Sequence, residues 1–313
     1  MSESAADATV TPVQISCSSP KSLFVRDDPY MLLLLGLTVL AGLIGAGLSG
    51  VTITVFLHRG ITHGSIRMSR PVYEVGRWMA WFTTFMRHWE WRRVHRKHHL
   101  YTDQWIDEIR HDPHSPIVIS EREQIDGFRR VSWHMAALFH AEAKLPDIRD
   151  DTYELSIDRP LDRLDQVLFN RPVLGATITG IVYAALFGIF APAITGMQRS
   201  VGVELVCLVA GVLALGVHIM VMLRFGGAIN SDCHRSKVLT EGAGYAVNVK
   251  ALSILIFGEG EHLSHHLHPQ VAQISRRFDL GWRVIQVLRA FGLVTVTAER
   301  SAVAAGREEV LSL

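Results

Sequence analysis

The strongest constraint on this chain is a run of 26 residues, 31–56, that contains no charged side chain. At a helical rise of about 1.5 Å per residue, the run is about 39 Å long, which is enough to cross a bilayer core once. Residues 172–198 are also uncharged, and residues 205–223 carry only one ionisable side chain, His218. The short turn between these two runs predicts a transmembrane hairpin. The alternative, three buried helices of a soluble protein, is disfavoured because such helices rarely contain uncharged runs of this length.

The segments between these runs are more polar. Residues 72–91 contain tryptophans around an apolar stretch too short to span, which predicts a helix at the membrane interface. Residues 92–171 and 224–290 predict a cytosolic helical cap. We therefore expect an all-α integral membrane protein with one membrane domain at 28–290, a disordered polar tail at 1–27 and a C-terminal tail at 291–313.

Basic residues indicate the orientation. Nine arginines and lysines lie between Arg59 and Lys97, and more follow the third run, whereas the turn between the second and third runs contains only Arg199. This asymmetry predicts a multi-pass protein whose segments 58–99 and 230–266 emerge together on the cytoplasmic face. A net charge of +1 without a basic tail gives no sign of a nucleic-acid partner, and the three cysteines form no C-x-x-C pair.

Histidine is the unusual residue of this sequence, with sixteen copies that mostly crowd into short segments. Residues at positions i, i+3 and i+4 share one face of a helix, and on this rule three groups converge: His95, His98 and His99; His262, His265 and His266; and Asn230 with His234. His58 and His63 are five residues apart. On a continuous α-helix these two side chains diverge. Either the helix ends or bends there so that they converge, or each histidine serves a different metal.

These segments together supply nine imidazoles, which are too many for one metal ion but suit two. Imidazole binds zinc, copper, iron and nickel, so the ligand type alone leaves the metal open. A structural zinc site closes with four ligands and usually recruits cysteine. The set therefore favours a pair of redox-active irons held by a histidine-rich di-metal site in the cap, with neutral imidazoles as ligands.

At these boxes the sequence resembles the membrane-bound fatty acid desaturases, especially the acyl-CoA (stearoyl-CoA) type. The matching elements are His58…His63, His95…His99, Asn230…His234 and His262…His266, in the order and spacing of that family. Tyr101-Thr-Asp103, Asp112-Pro-His114 and Gly258-Glu-Gly260 extend the resemblance, which runs from about residue 45 to 270. The family usually has two spans before the first box, whereas this chain has room for one.

The resemblance implies an oxygen-dependent fatty-acyl desaturase that introduces a C=C bond into a saturated chain. It implies two Fe ions held by the nine histidines, with Asn230 assisting through a water, and O2 as co-substrate. Asp112, His114, Glu259 and Glu261 are candidates for orienting the imidazoles. No H-P-G-G haem motif is present, so we expect a separate electron donor of the ferredoxin or cytochrome type with its reductase.

Several alternatives stay open at this stage. A hydroxylase or an acetylenase on the same scaffold would share the boxes, since a small shift in the hydrogen presented changes the product. A membrane metal transporter is a more remote alternative, because its ligands should lie near the middle of the bilayer. The sequence does not reveal the chain length, the position of the double bond, or whether a fatty acyl thioester or a membrane lipid is the substrate.

Overall fold

The computed structural model describes residues 29–106, 109–110, 112, 117–120, 123–124, 139, 141, 143–145, 159–236 and 238–298. The predicted N-terminal tail, much of the predicted cap between 107 and 158, and residues 299–313 lie outside this part of the chain. The α-helices and strands of the described residues are α1 (Pro29–Val51), β1 (Ile66–Met68), α2 (Arg70–Met79), α3 (His88–Leu100), β2 (Trp105–Ile106), β3 (Ile109–Arg110), β4 (Ile117–Ser120), β5 (Glu123–Gln124), α4 (Pro172–Thr195), α5 (Val201–Asp232), α6 (His262–Leu267), α7 (Leu280–Ala290) and β6 (Val294–Val296). Wider π-helical turns occupy Thr52–Thr62, Ala80–Thr84 and Asp165–Phe169, and a 3₁₀ helix occupies Lys250–Ile254.

Three helices are long and apolar enough to cross a membrane: span 1 (Pro29–Thr62), span 2 (Pro172–Thr195) and span 3 (Val201–Asp232). An all-α membrane protein was expected, and the structure confirms a mostly helical fold with three candidate spans, to which the described residues add six short strands. Spans 1 and 3 extend beyond the predicted runs 31–56 and 205–223. The uncharged-run criterion ends near the first ionisable residues, whereas span 1 continues into a buried segment that carries His58, and span 3 continues past Arg224 to Asp232.

The outer surface of the spans is strongly apolar. Leu32, Ile181 and Leu213 are about three-fifths exposed, as are many other aliphatic side chains along the three helices. Soluble proteins rarely expose apolar surface on this scale, because water makes it costly. Contact with lipid tails removes that cost, so the exposed side chains suit helices in a bilayer.

Small residues allow the spans to pack closely. A Cβ atom added at Gly42 would lie 2.5 Å from the Cβ atom of Val217, and one added at Gly211 would lie 2.6 Å from the Cα atom of Ala184. Such contacts are typical of membrane helices, whose association depends on close packing rather than on the exclusion of water. Gly211 therefore sets the distance between spans 2 and 3.

A buried polar group joins the spans near their centre. The Ser49 hydroxyl donates to the Thr83 carbonyl at 2.7 Å and lies 2.6 Å from Nε2 of His218. The Tyr183 hydroxyl lies 3.4 Å from Nδ1 of the same ring. His218 is thus held by hydrogen bonds between helices, as expected for a polar side chain in this environment.

The segment predicted as one interfacial helix at 72–91 contains two helices. The first runs from Arg70 to Thr84, the chain turns at Phe85, whose φ is 56°, and α3 then begins at His88. Val75 remains 61% exposed. The location of this segment at the membrane interface stays a prediction.

The C-terminal elements return to the end of span 1. Strand β6 pairs antiparallel with β1, with Val296 opposite Ile66. On α7, Trp282 and Ile285 pack into a buried cluster with Val55. The helix after the last histidine box therefore supports the π-helical end of span 1.

Replacing Gly211 with Ala is expected to lower the thermal stability of the protein, because the added methyl group meets the backbone of span 2. Overpacking of this kind costs about 1–3 kcal/mol. The measurement is the melting temperature of the full-length protein in detergent. Gly216→Ala on the same helix is the matched control, since nothing lies within 4 Å of its added Cβ, and equal melting temperatures for the two variants would contradict the packing role.

Candidate metal centre

The end of span 1 explains how His58 and His63 come together. Residues Thr52–Thr62 form a π-helix, and the His63 N–H donates to the His58 carbonyl at 3.1 Å, five residues back. A π-helical turn places residues i and i+5 on one side, which an α-helix does not. The two imidazole rings consequently lie 4.8 Å apart between centroids. The sequence predicted an ended or bent helix as the condition for convergence, and the structure instead widens the helix.

The nine histidines form two groups of nitrogen atoms, and in each group these atoms lie within 4.8 Å of one another. We name the first the five-histidine cluster and the second the four-histidine cluster. Their members are His58, His63, His95, His99 and His265 in the first, and His98, His234, His262 and His266 in the second.

Each H-x-x-H-H box contributes to both clusters. In α3, His95 and His99 enter the five-histidine cluster, whereas His98 enters the other. In α6 the assignment is reversed, because His262 and His266 enter the four-histidine cluster and His265 the five-histidine cluster. Adjacent helical residues point about 100° apart, so one helix turn places an i, i+4 pair on one side and residue i+3 beside it. The two helices thereby hold the clusters next to each other.

The contacts between ring nitrogens fit metal ions better than hydrogen bonds. Nε2 of His265 lies 2.9 Å from Nε2 of His58 and 3.2 Å from Nε2 of His99. A neutral imidazole has one nitrogen that carries N–H and one that carries a lone pair. Nε2 of His265 therefore offers either one proton or one lone pair, which is not enough for a hydrogen bond to each of its two neighbours. Nε2 of His63 is buried and has no hydrogen-bond partner among the described residues. Converging lone pairs of this kind suit a cation between them.

Burial keeps most of these rings neutral. It lowers the pKa of His63, His95, His99, His265 and His266 well below the usual histidine value, and the neighbouring imidazoles lower it further. Neutral imidazole is the form that binds a metal. These lowered pKa values favour neutral, metal-binding imidazoles at neutral pH in the five-histidine cluster and at His266 of the four-histidine cluster.

Two carboxylates contact rings of the four-histidine cluster. Asp112 lies 2.7 Å from Nδ1 of His98, and Asp103 lies 2.8 Å from Nδ1 of His234. The Asp103 backbone N–H also donates to Asp112 at 2.7 Å. A carboxylate on Nδ1 turns Nε2 toward the cluster. Although burial lowers the pKa of His234, the charge of Asp103 raises it above the usual value.

Asp103 was not among the sequence-predicted site residues. The signal in the sequence that points to it is the Tyr101-Thr-Asp103 element, which extends the family resemblance. The Asp103 backbone has a positive φ of 56°, a conformation that a sequence pattern does not reveal. This turn directs its carboxylate toward His234 and the N–H of Tyr245, 2.9 Å away.

Glu259 serves the five-histidine cluster. Its carboxylate lies 3.1 Å from Nδ1 of His58 and 3.0 Å from the Arg59 guanidinium, and it accepts from the Thr54 hydroxyl. Burial alone would raise the pKa of Glu259, but His58 and Arg59 lower it to about 2. Glu259 is therefore an anion in contact with Nδ1 of His58, and its role in orienting that ring stays a prediction.

The other predicted residues are placed differently. The Glu261 carboxylate accepts from the Ser275 hydroxyl at 3.2 Å and the Arg276 N–H at 3.0 Å, so its role in orienting an imidazole stays a prediction. Asn230 lies half-buried in the last turn of α5, one turn before His234, which follows the helix end at Asp232. Its role through a water also stays a prediction, and His114 lies outside the described residues.

These observations define a histidine-rich membrane protein with two adjacent sites that could each hold a metal ion. Sequence comparison then assigns the family: the profile of the fatty acid desaturases matches residues 31–274. The chain belongs to the fatty acid desaturase family, whose members are oxidoreductases of lipid metabolism.

Two curated relatives are similar to this chain. A hex-5-enoyl-[acyl-carrier protein] acetylenase of Moorena producens is 25% identical over 79% of this chain and 72% of its own length. An sn-1 stearoyl-lipid 9-desaturase of Synechocystis is 24% identical over 78% of this chain and 66% of its own length. The match thus covers about two thirds of each relative, and the two relatives carry out different reactions.

Replacing Asp103 with Asn is expected to weaken metal binding about 10- to 100-fold, because the amide no longer holds Nδ1–H of His234 as a carboxylate does. The measurement is metal content per chain after gel filtration in metal-free buffer. Asp232→Asn is the control, since Asp232 lies two residues from His234 but pairs with the exposed Arg235. Full retention of metal by the Asp103 variant would contradict the assignment.

Acidification is expected to release the metal. In the folded chain burial holds the pKa values of five cluster histidines low: His63, His95, His99, His265 and His266. In the opened chain these imidazoles protonate near pH 6.5, so acid favours the opened, protonated form. Binding should therefore be complete above about pH 6.5 and decrease below it. Metal content and helical circular dichroism measured from pH 8 to pH 5 test this. Equal metal content across the range would show that the ligands are not these imidazoles.

Proposed function

We propose that this protein is an oxygen-dependent fatty-acyl desaturase that converts a saturated –CH2–CH2– unit to –CH=CH– through a di-iron centre. The observation that carries the proposal is the pair of adjacent imidazole clusters at one end of the candidate spans, to both of which each H-x-x-H-H box contributes. In the overall reaction the acyl chain loses two hydrogens, and O2 with two electrons and two protons becomes two molecules of water.

Two irons bound by the nine histidines would supply the oxidising power for this reaction. The chain's own residues provide the position of the metals and a dry environment. Asp103, Asp112 and Glu259 orient three of the rings. Trp91 stacks on His95 with 4.6 Å between ring centroids and is itself buried, so it excludes water from one side of the five-histidine cluster.

The substrate is proposed to be a fatty acyl chain that approaches along the spans. Unactivated methylene carbons require placement next to the oxidant rather than polar activation. Phe257 packs against Gly50 of span 1 and lies 5.7 Å from Phe225 of span 3. These aromatic rings form an apolar wall where the spans meet the metal centre, which suits a lipid chain.

The proposal also concerns the molecule that carries the acyl group. The resemblance in the boxes favours a coenzyme A thioester, whereas the names of the two relatives specify acyl carrier protein and a glycerolipid. The electron donor is proposed to be a separate ferredoxin- or cytochrome-type protein with its reductase. The basic residues after spans 1 and 3 support a multi-pass topology with the metal centre on the cytoplasmic face.

An acetylenase is the second candidate, and one relative of that activity favours it. An acetylenase removes two hydrogens from an existing C=C bond and requires the same histidine clusters. A metal transporter has less support, because among the described residues the groups able to hold a metal lie at one end of the spans. His218, inside span 3, is instead occupied by Ser49 and Tyr183.

The test is to supply the purified full-length protein with iron, O2, an electron donor with its reductase and defined acyl substrates. Saturated and monounsaturated chains are each presented as coenzyme A thioester, acyl carrier protein thioester and glycerolipid. Loss of two hydrogens from the saturated chain supports the desaturase, and loss only from the monounsaturated chain supports the acetylenase. Gain of one oxygen atom identifies a hydroxylase and would overturn the proposal.

A matched pair of variants links the product to the clusters. His266→Ala is expected to abolish product formation, because it removes a ring from the four-histidine cluster. His268→Ala is the control, since His268 lies two residues further along the same segment and is exposed outside both clusters. Equal turnover by the two variants would separate the activity from the proposed centre.

A further inference from the structure

Arg59 connects the first histidine box to the C-terminal part of the chain. It follows His58 directly and is only 1% exposed. One side of its guanidinium donates to both carboxylate oxygens of Asp279, at 2.9 and 2.8 Å. The other side donates to Glu259 at 3.0 Å, and Nε donates to the Ala272 carbonyl at 2.7 Å. A buried arginine with this number of partners holds a fixed position.

Asp279 is equally well fixed. It caps the N-terminus of α7 by accepting from the Trp282 N–H at 2.8 Å, and it also accepts from the backbone N–H groups of Ile274 and Ser275, at 2.9 and 3.2 Å. Its side chain is nearly inaccessible. The Asp279 carboxylate is therefore held in place by backbone N–H groups rather than by flexible side chains.

Two glycines allow the chain to close around this pair. A Cβ atom at Gly258, whose φ is +105°, would collide with the Asp279 carboxylate, and one at Gly281 would collide with the Arg59 guanidinium. The first of these glycines is adjacent to Glu259. The chain thus brings Glu259, Arg59 and Asp279 into contact at positions where a larger residue would separate them.

We propose that Asp279 and Arg59 are positioning residues for the five-histidine cluster, acting through Glu259 on the ring of His58. Asp279 fixes Arg59, Arg59 fixes the Glu259 carboxylate, and that carboxylate holds Nδ1 of His58 so that Nε2 faces the cluster. The inference rests on the proposed metal-dependent function. It also assigns a specific role to α7, which lies beyond every histidine box.

The two metals should therefore depend on different parts of the chain. The four-histidine cluster takes its orienting carboxylates from the segment that follows α3, Asp103 before strand β2 and Asp112 after strand β3. The five-histidine cluster takes Glu259, and through it depends on Asp279. A change at Asp279 should weaken the binding of one metal and leave the other in place.

The test is a titration of the full-length metal-free protein in detergent with Co(II), followed by its visible absorption, for the wild type and Asp279→Asn. Asparagine caps helices about as well as aspartate, so α7 keeps its first turn while Arg59 loses its ionic partner. We expect two bound Co(II) ions in the wild type. In the variant one of the two should bind about 10- to 100-fold more weakly, with the spectrum of the remaining site unchanged.

Asp165→Asn is the matched control. Asp165 is a buried carboxylate at 3.0 Å from the buried Arg77, so the variant also breaks a buried arginine–aspartate pair, but away from the clusters. It should retain two Co(II) ions with wild-type affinity and spectrum even where its melting temperature decreases. Selective loss of one ion by Asp279→Asn but not by Asp165→Asn supports positioning, whereas equal retention or equal loss overturns it.

A second variant covers the case in which Asp279→Asn does not fold. Arg59→Lys keeps one positive charge but lacks the planar fork that reaches two carboxylates at once, and it should weaken the same single ion. Unchanged binding by this variant overturns the inference. A wild-type protein that binds no metal at all would instead contradict the proposed function, so the two failures are distinguishable.

Discussion

The rest of the structure depends on nine imidazoles whose nitrogen atoms face one another, seven of them buried and two, His63 and His99, partly buried. A buried polar atom without a partner costs about 1–3 kcal/mol, and these rings cannot satisfy one another by hydrogen bonds, because Nε2 of His265 faces two neighbours at once. Metal ions bound between the rings would resolve this conflict. The spans, the π-helical end of span 1 and the two short box helices are the elements that bring the rings to one place.

Different carboxylates contact the two histidine clusters. Asp103 and Asp112 contact rings of the four-histidine cluster, while Glu259 contacts His58 of the five-histidine cluster. Glu259 forms an ion pair with Arg59, and Arg59 forms a second ion pair with Asp279. The two sites are therefore adjacent but differ in the part of the chain that supports them.

Much of this arrangement was predictable from local patterns. The uncharged runs predicted three candidate spans, since a bilayer imposes a minimum length, and the i, i+3, i+4 spacing predicted that each H-x-x-H-H box presents its rings together. The convergence of His58 and His63 was not predictable, because five residues do not match an α-helical turn and only the π-helix brings them together. The break at Phe85 was missed for a similar reason, since no glycine or proline marks it.

The sequence by itself determined the membrane class, the number of candidate spans and the identity of the nine histidines, because these follow from length, hydropathy and spacing along one segment. Only the tertiary structure decided which histidines share a cluster, and that Asp103, Arg59 and Asp279 support them. Those contacts join residues up to 220 positions apart, and no local pattern encodes a distance between segments that meet only when the helices pack.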